Sequence, residues 1–209
     1  MDSVSVENLS IKFGEEILFD NVHFTIPAGE FVTLTGGSGT GKTTLLQSLM
    51  GFVPNVTGTI KIFDQPLQQK YIQQIRSKIA WIPQEINLPV ETTKDLFYLP
   101  FTFRYNKHLR PAEEETEEIL QAFGLSVSIF NKAVNEISGG QKQRIVLASC
   151  ILLKKPLLLL DEPTAALDEN SIHLVMEYMR SLQDTTIISV SHNQEWIEHS
   201  DRLIKMNEL

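Results

Sequence analysis

A chain of 209 residues, 42% hydrophobic and 21% charged, is long enough for one domain with a subdomain and lies far from the disordered class. A net charge of -8 disfavours nucleic acid and anionic lipid as partners, and a single cysteine, Cys150, excludes an internal disulfide. The longest mostly apolar stretch, residues 145–153, is interrupted by Ser149 and falls well short of the roughly 18 residues of a spanning helix. The start, Met1-Asp2-Ser3-Val4-Ser5, has neither the basic region nor the apolar run of a secretory signal, so a cytoplasmic chain is expected.

Short β-branched or apolar runs predict strands at residues 3–6, 22–26, 31–35, 59–63, 79–82, 157–160, 186–190 and 203–206, with helical patterns among them. Several later runs are apolar throughout, as in strands buried on both faces of a parallel sheet. From residue 83 to 135 the texture becomes helix-rich. Pro111 suits a first helical turn, Glu113, Glu114 and Glu115 follow where the helix dipole favours acid, and Ile119, Leu120 and Phe123 supply an apolar side. An α/β core with a helical insertion is therefore expected. The insertion covers residues 84–135, and residues 1–83 and 136–209 form the core. Cys150, inside an apolar run, reads as a small buried hydrophobe.

Chemistry concentrates in a few places. Gly36-Gly37-Ser38-Gly39-Thr40-Gly41-Lys42-Thr43 matches G-x-x-x-x-G-K-[ST], and it follows a strand and opens a helix. Glycines let successive N–H groups converge on phosphate oxygens, and the helix start adds the positive end of its dipole. Lys42 can then reach the β- and γ-phosphates, and the Thr43 hydroxyl can ligate Mg2+. A flexible Gly/Ser turn with a solvated lysine is the bland alternative. The run Leu157-Leu158-Leu159-Leu160 ends in Asp161-Glu162-Pro163; if the strand continues, the two carboxylates point to opposite sides. Asp161 then suits Mg2+, and Glu162 is free to polarise a water. A second glycine-rich element, Ile137-Ser138-Gly139-Gly140-Gln141-Lys142-Gln143-Arg144, opens the helix before this strand.

With these elements the chain resembles the ATP-binding cassette (ABC) ATPases, and their markers occur in family order. After the phosphate loop comes Gln84 within Trp81-Ile82-Pro83-Gln84-Glu85, then the signature from Ser138 to Gln141. The acidic strand end, the D-loop Ala166-Leu167-Asp168, and His192 within Val190-Ser191-His192-Asn193 follow. The resemblance implies an α/β P-loop NTPase (RecA-like) core with a mostly parallel sheet, an N-terminal antiparallel β subdomain and a helical subdomain. It implies ATP and Mg2+ as cofactors, held by Gly36 through Thr43 with Thr44 beside them, and Phe13 stacked on adenine. Glu162 would be the general base, His192 would contact the γ-phosphate, and Gln84 would touch Mg2+ or the attacking water. Thr43, Gln84 and Asp161 would surround the metal. In this family two chains pair head to tail, so Ser138, Gly139, Gly140 and Gln141 would close over ATP held by a second ABC ATPase chain, most simply an identical one.

The expected function is an ATP-hydrolysing transporter subunit that energises a transmembrane permease subunit from the inner membrane face. A soluble ABC ATPase, or a nucleotide-regulated module not coupled to transport, is the alternative. Departures are small: Phe13 stands for the commoner tyrosine, Ile137 for leucine and Ala165 for the usual D-loop serine. The segment Leu96-Phe97-Tyr98-Leu99-Pro100-Phe101-Thr102-Phe103-Arg104-Tyr105 has five aromatics in ten residues. It fits either a subdomain core or a groove for a partner helix containing Phe101 or Phe103. Residues 95–101 and 168–171 also resemble short FetA-like iron-export ATPases. His23, His108, His173 and His199 lack metal-ligand spacing.

Overall fold

In the computed structural model, which describes residues 1–182 and 184–209, nine strands form two sheets. The first sheet has the order β2-β1-β4-β5, with β1 Asp2–Phe13, β2 Glu16–Pro27, β4 Val56–Ile62 and β5 Gln65–Pro66, and its pairings are antiparallel. The second has the order β6-β7-β8-β3-β9, with β3 Phe31–Thr35, β6 Ile79–Ile82, β7 Leu157–Asp161, β8 Thr186–Val190 and β9 Arg202–Lys205. All its pairings are parallel.

Every residue of β7 and β8 is buried, because apolar layers cover both faces of this sheet. Leu158, Leu160 and Ile187 point into a cluster shared with α3 (Thr93–Tyr98), α4 (Glu113–Ala122), α5 (Gly139–Leu152) and α6 (Glu169–Arg180). Leu157, Leu159, Ile188 and Val190 point into a second cluster with α1 (Lys42–Leu49) and the antiparallel sheet. The period of two sends neighbouring leucines to opposite layers, which explains an unbroken apolar run. Short helices α2 (Ile72–Arg76) and α7 (Gln194–Glu198) complete the fold. A buried Ser3–Thr186 hydroxyl contact of 2.7 Å joins the two sheets, and the Gly29 N–H donates to the same Thr186 oxygen at 2.9 Å.

The mostly parallel core, antiparallel sheet and helical segment agree with the expected fold. β1 and β2 are far longer than predicted. Asn8 and Asn21 sit at φ of 52° and 56°, and the pairing register shifts along both strands. Such bulges break the alternation that marks a strand in sequence. The two-residue edge strand β5 has no periodicity to read. Pro111 lies before α4 rather than in its first turn: Ala112 is the N-cap, and its N–H donates to the Glu115 carboxylate at 3.1 Å. Met206 begins a 3₁₀ turn instead of ending β9.

The aromatic segment divides. Phe97 and Phe101 are buried, and the Phe97 ring lies 4.9 Å from Tyr98 and 5.3 Å from Phe130. Phe103 remains 58% exposed, so of the two expected groove residues Phe101 belongs to the core. No helix among the described residues is long and apolar enough to cross a membrane.

Candidate active site

Because β3, β7 and β8 are parallel and β8 lies between the other two, their carboxyl ends open on one edge. Ligands of open α/β sheets bind in that position. Here the loops after these strands and residues of the β1–β2 hairpin enclose a cleft of about 550 Å³. Lys42, Thr43, Gln84, Asp161, Glu162, His192 and Phe13 all line it.

The phosphate loop turns through Gly37 and Thr40, whose hydroxyl donates to the Gly37 carbonyl at 2.9 Å. Lys42 is almost fully buried and its ammonium donates to the carbonyls of Gly36 and Gly37, both at 2.8 Å. Gly41 caps α1 at φ 88°, where a Cβ would stand 2.7 Å from the Phe19 ring. Both the left-handed backbone and the close ring therefore require glycine.

Asp161 ends β7 with 1% exposure, and its Oδ1 has no hydrogen-bond partner. Burial pushes its carboxyl above the usual range, opposed by the Thr43 hydroxyl and the Lys42 ammonium. Glu162 does not continue the strand. Its φ of 48° is left-handed, and its N–H donates to the Val190 carbonyl at 2.9 Å. The turn corrects the expectation of opposite-facing carboxylates: both acids enter the same cleft. Burial also raises the Glu162 carboxyl, and nearby Asp161 adds to the rise, while His192 offsets it from 3.4 Å. Exposed Gln84 closes another side, and Phe13, 49% exposed, forms the rim.

A family model described as ABC transporter matches residues 19–165. The chain belongs to the ABC transporter family. It is 32% identical over 97% of its length to the "Probable iron export ATP-binding protein FetA" of Escherichia coli (strain K12), covering 90% of that protein. It is 33% identical over 96% of its length to the Nod factor export ATP-binding protein I of Sinorhizobium fredii, of which it spans 58%. Among solved structures it resembles the ATP-binding cassette MJ0796, as a post-hydrolysis dimer bound to ADP and Pi, with TM-score 0.82 and 30% identity over 97% of this chain and 93% of that one. ATP is thus the ligand of this ABC transporter cassette.

Ser138, Gly139, Gly140 and Gln141 lie outside the cleft, at the start of α5. Ser138 and Gln141 form a reciprocal cap, each backbone N–H donating to the other's side-chain oxygen at 3.1 Å. A Cβ on Gly140 would sit 2.7 Å from the Ala166 carbonyl oxygen, so the signature rests directly on the D-loop. The sequence motifs alone did not reveal that contact. Three further cleft residues, Glu16, Leu18 and Val190, were also missed. Leu18 backs onto Gly41, a spatial relation with no local sequence signal.

Proposed function

We propose that this chain is the Mg2+-dependent ATP-hydrolysing subunit of a transporter and works as a pair of chains. The observation that carries the reading is the convergence of Lys42, Thr43, Asp161, Glu162 and His192 on one cleft, with a buried Asp161 oxygen left without a partner. An orphan acceptor at that depth suits a cation, and the Thr43 hydroxyl, the Asp161 carboxylate and the Gln84 amide supply hard oxygen donors for Mg2+. When bound, the ion neutralises charge on the β- and γ-phosphates. Lys42 and the loop amides from Gly36 to Thr44 bind the phosphates, and Phe13 stacks on adenine. Glu162 accepts a proton from the attacking water, and His192 contacts the γ-phosphate and steadies Glu162.

Ser138 through Gln141 complete the site of the second chain, most simply an identical one. A groove of about 340 Å³ lined by Trp81, Ile86, Leu88, Leu99 and Phe103 is open beside the helical segment. It receives a helix of a transmembrane subunit, which holds the chain at the inner membrane face and selects the cargo.

Glu162→Gln tests this reading. ATP binding is expected to survive, phosphate release to fall by about 10²–10⁴-fold, and an ATP-bound dimer to accumulate in sedimentation. Unchanged turnover removes Glu162 as base, and hydrolysis without dimer formation removes the two-chain site.

A further inference from the structure

We propose that Lys142 is a positioning residue that ties the ATP cleft of its own chain to the signature it presents to the other; this rests on the ATP-driven dimer read above. Lys142 occupies the first turn of α5, where its N–H donates to the Ser138 carbonyl at 3.0 Å. A cation near a helix N-terminus gains nothing from the dipole, so the position of the Lys142 ammonium is set by the acceptor it finds outside the helix. That acceptor is the Ile86 carbonyl, which takes a part-buried hydrogen bond from the Lys142 ammonium. Bonds of this kind, with one charged member, are the stronger class.

Ile86 stands two residues beyond Gln84, which lines the cleft, and its side chain packs on the main core. Residues 84–90 otherwise make local bonds: Val90 N–H to the Leu88 carbonyl and the Asn87 amide to Glu85. Among the described residues, the Lys142–Ile86 bond is the hydrogen bond that anchors this segment to another element. A displacement of Gln84 by nucleotide therefore pulls on Ile86, and through Lys142 on the turn that carries Ser138 and Gly139. Each chain can then report its own ATP to the site it completes opposite.

The test uses the full chain in the Glu162→Gln background, with ATP as the probe and sedimentation as the readout. Lys142→Met is expected to raise the ATP concentration needed for dimerisation about tenfold, leaving the affinity of the monomer for a fluorescent ATP analogue unchanged. Lys142→Arg, which keeps a charged donor, is expected to restore dimerisation. In a Gln84→Ala background the Lys142→Met effect is expected to vanish, because both residues act along one route. A merely structural role would lower monomer affinity or persist in full without Gln84, and either result overturns the proposal, as does a dimer indifferent to Lys142→Met. Absence of any ATP-driven dimer with Lys142 intact overturns the underlying two-chain reading, and the tie with it.

Discussion

Asp161 and Glu162 hold their charges in a protein cleft at a cost. Their carboxyl groups are raised, chiefly by burial, so each binds a proton more tightly in the folded chain than in the unfolded one. Stability therefore falls as pH rises from the ordinary carboxylate value through the raised one, and the full penalty applies above it. Asp161→Asn, without nucleotide, is expected to raise Tm at pH 8 and to lose that advantage towards acid, with each kcal/mol appearing as about 2–4 °C. Scanning calorimetry of both proteins at pH 8 and pH 5 checks the sign. With Glu162 as the proposed base, kcat/KM, which reports the free chain, is expected to fall on acidification with a midpoint above that of an ordinary glutamate; a pH–rate profile reads it directly. The types of these residues were legible in sequence because phosphate and metal chemistry demand them at fixed spacing. Their common direction was not legible, since it depends on a left-handed turn at Glu162 that the sequence does not announce.

At the scale of elements, strands buried on both faces were the readable ones. β3, β6 and β8 have the bounds expected from their apolar runs, whereas β1 and β2 hide theirs behind bulges at Asn8 and Asn21. The aromatic segment was ambiguous for a physical reason: rings fill cores and line grooves with equal ease. Separate substitutions of its two phenylalanines distinguish those uses. Phe101→Ala is expected to destabilise the chain by about 3–5 kcal/mol in urea unfolding, because Phe101 is 3% exposed in the core. Phe103→Ala is expected to leave unfolding within about 0.5 kcal/mol. It should instead weaken co-purification with the membrane subunit, with ATP affinity unchanged. Comparable losses of stability for both would remove Phe103 from the docking groove. Helix α7 is fixed differently: Trp196 donates to Ser189 of β8 at 2.9 Å, and its ring meets Phe31 edge-on at 5.6 Å. That anchor lies four residues beyond His192 and holds the following helix against the sheet.

For the whole molecule, the phosphate loop and the signature lie in separate places on one chain, and the proposed two-chain arrangement would make each site a joint product of the pair. Lys42→Ala and Gly139→Asp chains are each expected to be inactive alone. Mixed in equal amounts, they are expected to recover about a quarter of wild-type turnover, since half the dimers carry one intact site of two. A phosphate-release assay on the mixture checks this, and no recovery would mean that a chain does not lend its signature to another.

The groove has a further consequence for the chain by itself. Leu88 and Phe103 are exposed on its walls, and the exposed Phe52 ring lies 5.8 Å from Trp81 on its floor. Synthesised in excess, the chain would display this aromatic face to chaperones, proteases and its own copies; on the proposed docking, production in fixed proportion to the membrane subunit would be favoured.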